Sequence, residues 1–389
     1  MCYCDPEAIS DIRLQPIAHV CDPSVWFGPS EKMFNIALRR MKYLSNDKIQ
    51  QIRESFIESN SDLHENWIRE YTPAEAVSYI TCIQAYEGLP SASETNIVPI
   101  IHSLKYIKLQ RLNVDFFKLG NNFDHLQESI KEGDMQSLLV MSARSIASTE
   151  EQITKLVSSL HKMPLLRVLD ISYNKAEAGR SIPVLANNLS HCEALKALYL
   201  NNMEAPSQDM ELLAKNLPSQ LTGLRITGNM VSDAVASHLM GTLTQNLTEL
   251  YIGVDNLSKS RHNELLHSIS SKLIRLQNIL IKDSLYPGDL VKYGGLALIS
   301  CTYLNWLSLG SSSCNDLIPE DCVEIFMEGM QQARNIKTLH LGGIHLDMVS
   351  FWELIRLSRR NCLHVLMFTR RLLPEGVQPE ELDDFVTLI

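Results

Sequence analysis

Along most of the chain, apolar residues recur at a spacing that fits neither a lone helix nor a lone strand. In "LRVLDISYNKA", Leu166, Leu169, Ile171, Asn174 and Ala176 follow one another at steps of 3, 2, 3 and 2 residues. Leu195, Leu198, Leu200, Met203 and Ala205 repeat these steps 29 residues later. Apolar residues at positions 1, 4 and 6 of this phrase occur ten times, starting at Leu104, Met135, Leu166, Leu195, Leu221, Leu247, Leu276, Leu304, Ile336 and Leu363. The intervals run from 26 to 32 residues. In "LKALYL", positions 4 and 6 (Leu198 and Leu200) fall on one side of an extended segment and Tyr199 on the other, because side chains alternate along a strand. The stretches between carry helical periodicity. "STEEQITKLVSSLHKM" places Ser148 three residues before Glu151, a capping-box pattern, with Ile153, Leu156 and Leu160 on one face. "DCVEIFMEGMQQ" and "MVSFWELIRLSRR" have the same periodicity. No single strand–helix unit is large enough to hide its own apolar side, so the pattern predicts units stacked on a continuous core.

A phrase of this form at this period is the leucine-rich repeat. Its pairing with long helices resembles the ribonuclease-inhibitor type found in the sensing region of NOD-like receptors, over roughly residues 97–389. The resemblance implies an α/β right-handed solenoid, a horseshoe with parallel strands inside and helices outside. One position departs from the family's pattern. The Asn or Cys expected at position 9 occurs only as Asn174 and Asn229, with Asp255 a possible substitute. Elsewhere the position holds Leu112, Ala143, Met203, Ser284, Ser312 and Ile344, where irregular curvature is expected.

Residues 1–95 lack the phrase. "PSEKMFNIALRRMKYL", "SNDKIQQIRESFIES" and "TPAEAVSYITCIQAYEG" have helical periodicity, the last with Thr72 as a cap and Pro73 at the first helical position. The expected organisation is a helical block over residues 1–95 that caps the array, followed by a repeat domain of about ten units over residues 96–389.

Composition narrows the class further. The chain of 389 residues is 45% hydrophobic and 21% charged, which argues against extensive disorder. Its formal charge of -10 argues against nucleic acid as a partner, since that wants a clustered basic face. No stretch approaches the roughly 18 apolar residues of a membrane span, so no membrane partner is expected. The amino terminus "MCYCDPEAISDIRLQP" lacks the pattern of a signal peptide, and the nine irregularly spaced cysteines fit reduced thiols in a cytoplasmic protein. Cys192, Cys301 and Cys362 fall at helix ends, where a small buried hydrophobe fits.

The chain has no GxxxxGK[ST] loop and no GxSxG elbow. His262 and His267 in "RHNELLH" are five residues apart and are expected as surface polar groups on a connecting helix. His340 and His345 fit a strand and a turn, and the Cys2/Cys4 pair has no partner pair at zinc-site spacing. No enzyme activity, cofactor or metal is expected.

The side chains of the phrase that face away from the core are the candidates for recognition. At position 5 they are Lys108, Leu139, Asp170, Tyr199, Arg225, Tyr251, Leu280, Ser308, His340 and Met367; Glu249 and Trp306 stand at position 3. Tyr199, Arg225 and Tyr251 form a row across three consecutive strands about 4.8 Å apart. Tyr, Trp and Arg combine large contact area with polar tips and dominate protein interfaces. The predicted site on the concave face is Tyr199, Arg225, Tyr251, Trp306, Asp170 and Glu249. Leu139, Met141 and Leu280, apolar at outward positions, call for a covering partner. The resemblance implies a non-catalytic protein-recognition module, like the ligand-sensing or autoinhibitory region of an intracellular NOD-like innate immune receptor. The alternatives are a substrate adaptor of a ubiquitin ligase, docked through residues 1–95, and a regulator of a small GTPase.

Overall fold

The computed structural model describes residues 111–114, 123–133, 135–147, 149–174, 180–313 and 317–369, with a few positions beyond, 386–388 among them. Residues 1–95, and with them the expected capping block and Cys2/Cys4, lie outside the described residues. The chain divides into two compact units, one ending at Leu195 and the other beginning at Lys196.

In the first unit the strands are β1 (Arg111–Asn113), β2 (Val140–Ser142) and β3 (Val168–Asp170), and the helices are α1 (Phe123–Glu132), α2 (Glu150–Ser158) and α3 (Ser181–Asn188). The strands pair in parallel and in chain order. In the second unit, β4 (Ala197–Tyr199), β5 (Gly223–Arg225), β6 (Glu249–Gly253), β7 (Asn278–Ser284), β8 (Trp306–Ser311), β9 (Thr338–Gly342), β10 (Val365–Phe368) and β11 (Val386–Leu388) also pair in parallel and in order. The helices between them are α4 (Ser207–Lys215), α5 (Asp233–Thr242), α6 (Lys259–Lys272), α7 (Pro287–Ser300), α8 (Glu320–Gln332) and α9 (Met348–Arg360). Each unit is therefore an α/β leucine-rich repeat array. β11 escapes the sequence phrase because Asp383 stands where position 1 would be apolar.

The register explains the phrase. Leu198, Leu224, Leu250, Ile279, Leu307, Leu339 and Leu366 are successive partners across the second unit, and each is fully buried. Full burial of such a side chain is worth about 1.5–3 kcal/mol, and none of these leucines could obtain it within its own repeat. The backbone is linked as regularly. The position-2 carbonyl of one repeat accepts two N–H groups from the next: Lys196 from Thr222 and Gly223, Thr222 from Thr248 and Glu249, Gln277 from Asn305 and Trp306.

The same bonds correct the expected register in the first unit. Leu139 O accepts from Arg167 N and Val168 N, which makes Leu139 a position-2 residue. Met141 pairs with Leu169 and is fully buried at position 4, and Leu112 stands opposite Met141. The phrase here starts at Leu138 rather than Met135. Apolar residues at 135, 138 and 141 allowed both frames, and only strand pairing separates them. Met141 needs no covering partner, Leu112 and Ala143 are core residues at positions 4 and 6, and Ser142 replaces Leu139 at position 5. Lys108 lies outside the described residues.

The two asparagines at position 9 act as backbone surrogates. Asn174 Oδ1 accepts from Ile146 N and Ala147 N at 2.9 Å each, and its Nδ2 donates to Ala143 O and Ile171 O at 2.7 Å. Asn229 accepts from Ala205 N and donates to Leu200 O and Ile226 O. Where Ser284 replaces Asn, the strand register shifts between Ile281 and Ser284, and Asp283 takes a left-handed φ of 61°. At this turn Ser284 Oγ accepts from Tyr286 N and meets His262 Nε2 at 2.9 Å, while His262 Nδ1 faces Asn263 Oδ1. His262 is fully buried, contrary to its expectation as a surface group. Burial holds its pKa below the ordinary 6.5, against the opposing hydrogen bond that it donates to Asn263 and the charge of Asp289.

Further expectations shift by a residue or two. The capping box of α2 uses Thr149 and Gln152 rather than Ser148 and Glu151. Cys192 and Cys301 are buried, each three residues before a position 1, and their thiols donate to Leu160 O and Leu273 O. Cys362 stands only one residue before position 1, in a left-handed turn, and is exposed. Helices α7 and α8 approach at backbone level: a Cβ on Gly295 would lie 2.6 Å from Ile325 O, and one on Gly329 would collide with Gly295 O.

Two outcomes follow from this packing. Asn229→Ala leaves buried backbone groups unpaired, at about 1–3 kcal/mol for each, and should lower the urea midpoint markedly; Asn256→Ala, at an exposed site, should leave it unchanged. Equal midpoints would contradict the bridging role. Because the folded pKa of His262 is depressed, its contribution is full above about 6.5 and is lost as pH falls below that value. The drop in unfolding free energy between neutral and mildly acidic pH should be smaller in His262→Gln than in the wild type.

Candidate functional site

Five of the six predicted site residues lie in the second unit. Positions 3 and 5 of its strands alternate with the buried positions 4 and 6, so their side chains share the half-exposed face of the sheet. Tyr199, Arg225 and Tyr251 are direct register partners on β4, β5 and β6. The Arg225 guanidinium carbon lies 4.2 Å from the centre of the Tyr199 ring and 4.5 Å from that of Tyr251. Such stacking contributes about 0.5–1 kcal/mol at exposed sites and more as water is excluded.

Glu249 organises the row from below. Its Oε1 accepts from Arg225 Nε and lies 2.5 Å from Arg225 Nη2, while its Oε2 accepts from the Tyr199 hydroxyl at 3.0 Å. Its side chain is only 12% exposed, against 32% for Arg225, so the pair is sheltered on the carboxylate side and open on the guanidinium side. Burial raises the Tyr251 phenol to about 12, with the charge of Glu249 and a hydrogen bond to it acting in the same direction and Arg225 opposing them. The arginine is therefore clamped between rings with its charge balanced internally.

Tyr199 reaches Glu249 across an entire strand, and a residue with no side chain makes this possible. A Cβ on Gly223 of β5 would lie 3.3 Å from the Tyr199 hydroxyl and 3.3 Å from the Ala197 Cβ. Gly223 lies at position 3, between Ala197 and Glu249 in register. Sequence reasoning passed over this glycine. The signal was present as the smallest residue between Ala197 and Glu249 in the position-3 row, but its meaning depended on the direction in which Tyr199 leans.

Trp306 extends the cluster. Its ring centre is 5.1 Å from that of Tyr251 with the planes tilted by 41°. Both rings line an open depression of about 850 Å³ that also takes in Tyr303, 63% exposed, and Lys337. On the same strand as Trp306, Ser308 Oγ meets His340 Nδ1 of β9 at 2.8 Å, and burial holds the imidazole below its usual pKa. Asp170 belongs to the first unit, where it accepts from Ser172 N and lies 3.8 Å from Arg144. Among the described residues no three His, Cys, Asp or Glu side chains gather at metal-binding distance.

The raised phenol gives a measurable signature. In an alkaline absorbance titration one tyrosine should ionise near pH 12, and this step should be missing in Tyr251→Phe. Glu249→Gln removes the negative charge that favours the neutral phenol, so the step should move to lower pH. Because the folded value lies above the ordinary one, the stabilisation from Tyr251 is present below about pH 10 and is lost as pH rises toward the folded value. An unmoved step in Glu249→Gln would contradict the coupling.

No protein-family model matches the chain, and no curated protein matches it in sequence. Among solved structures, the chain is similar to a chain of the yeast Rad7–Elc1 complex at 13% identity and a TM-score of 0.45, covering 78% of this chain and 88% of that one. It is also similar to the leucine-rich repeat protein LegL7 of Legionella pneumophila at 11% identity and a TM-score of 0.40, covering 77% and 93%. An internalin of Listeria monocytogenes is similar at 14% identity and a TM-score of 0.35, covering 84% and 92%. At such scores these likenesses say nothing about what the chain binds; its repeat architecture rests on its own strand register and buried leucine row.

Proposed function

We propose that the protein is a non-catalytic recognition module that binds a protein partner on the half-exposed strand face of its second unit. The observation that carries this reading is the clamp at Arg225, held between two tyrosine rings with its charge balanced by the sheltered Glu249. Holding an arginine in one position costs side-chain entropy, and this cost is already met in the free protein. A partner then meets a prearranged aromatic and cationic surface of the composition that dominates interfaces. Leu280, half-buried on the same face, continues the surface toward Trp306.

On this reading the resemblance to the sensing region of NOD-like receptors extends to role: an intracellular module whose strand face meets either a ligand or the rest of a receptor. The long helices between short strands support that type of repeat. The adaptor reading depends on residues 1–95, outside the described residues. Asp170 lies in the first unit and is left out of the proposed surface.

A photo-reactive side chain at Leu280 should yield discrete protein adducts in cells that make the protein, and the same group at Lys215 on α4 should yield none. With the captured partner in hand, calorimetric titration should show Arg225→Glu weakening binding about tenfold or more. Lys215→Glu, at an exposed residue paired with Glu211, should bind as the wild type does. Equal affinities for the two variants would remove the strand face from the interaction.

A further inference from the structure

Two helix-to-strand segments of the second unit, with an uncharged one between them, gather cations along one edge. The segments that lead from helix to strand, residues 271–278, 301–306 and 331–338, contain Lys272, Arg275, Arg334 and Lys337 and no Asp or Glu. All four cations are exposed and none has a carboxylate partner among the described residues. Several cations within the helices are paired instead, as in Lys215–Glu211, Arg261–Glu264 and Arg356–Glu353. In a chain of formal charge -10, this edge is a local reversal of sign. Basic residues at the end of a helix complement its dipole, which accounts for Lys272 but not for Arg275, Arg334 or Lys337, which lie beyond the helix ends.

The depression of about 850 Å³ opens on this edge, and Lys337 lines it. No carboxylate and no aliphatic side chain lines it; beside the aromatic rings its walls are the amides of Gln277, Asn278, Asn305 and Asn335, with Thr338. Asn335 donates to Thr302 O, whereas the side-chain amides of Gln277, Asn278 and Asn305 have no hydrogen-bond partner among the described residues. A free primary amide offers both a donor and an acceptor, which suits the alternating N–H and C=O groups of an extended backbone. The walls therefore call for a ligand rich in amides, and the rim for one that carries negative charge.

Within the protein-recognition reading above, on which this rests, we infer that the depression takes an extended, acidic peptide segment of the partner protein. Its backbone meets Gln277, Asn278 and Asn305, its carboxylates meet Lys337 with Arg275 and Arg334 near by, and one side chain lies on the exposed Tyr303 ring. Single-stranded nucleic acid shares the charge requirement but needs successive open rings on which bases stack. Here Tyr251 already carries Arg225 and packs against Trp306, which leaves Tyr303 as the open platform.

The test is a selection of random dodecapeptides displayed on phage against the intact chain and its Lys337→Glu/Arg334→Glu variant, with fluorescent oligouridine in a parallel anisotropy titration. Circular dichroism checks that the variant is folded, as the exposure of both residues leads one to expect. Wild-type selections should be enriched in Asp and Glu at least about twofold over the input, and the chosen peptides should bind the variant about tenfold or more weakly, losing affinity as salt rises. Enrichment without acidic bias, the absence of any enrichment, or unchanged binding to the variant would each overturn the inference, as would oligouridine binding more tightly than the selected peptides. If these fail while the cross-link at Leu280 still captures a protein, the strand face is the binding surface and the edge depression is not.

Discussion

A single repeat of this chain cannot remove its own leucines from water. Three or so apolar side chains on a strand of 3–7 residues have a core only when the next strand brings its own set alongside. The row from Leu198 to Leu366 in the second unit and the trio Leu112, Met141 and Leu169 in the first show the result, all buried to within 1%. The backbone imposes the same condition, since position-2 carbonyls within each unit accept two N–H groups from the following repeat. Burial and hydrogen bonding therefore select one register. Displacing a strand by a single residue would turn its leucines outward and break both bonds.

The proposed recognition surface is a by-product of that stacking. Because positions 4 and 6 must face the core, positions 3 and 5 are presented in straight rows across adjacent strands. The rows are what bring Tyr199, Arg225 and Tyr251 together, and Glu249 within reach of all three. Glu249 gives the cluster its internal balance: it neutralises Arg225, accepts from Tyr199 and raises the Tyr251 phenol. Gly223 contributes by having no side chain, which lets a tyrosine lie across its strand.

Repeats that depart from the asparagine pattern solve the same turn differently. Asn174 and Asn229 pair backbone groups of two successive turns with one side chain. Ser284 is too short to do so, and the strand responds with a register shift, a left-handed Asp283 and a histidine drawn from α6 into the core. A buried neutral imidazole carries a cost at acidic pH that asparagine does not, so this repeat links stability to protonation where its neighbours do not. The backbone contact between Gly295 and Gly329 is another local solution, joining α7 to α8 more closely than side chains would permit.

The alternation of apolar residues by itself determined the repeat, its strands and helices, and the half-exposed row that contains Tyr199, Arg225 and Tyr251, because a period of two within a period of about 28 has one packed solution. It left open whatever depended on partners distant in sequence. The frame at Leu138 was ambiguous because three apolar residues spaced by three satisfy the phrase in two registers, and only pairing with Leu169 decides between them. The burial of His262 and the opening over Gly223 arise from neighbours one or two repeats away, and the exposure of Cys362 from a left-handed turn. The charge reversal on the helix-to-strand edge was written in two separate loops, and it became a surface only when parallel pairing brought them to the same edge on either side of the uncharged 301–306.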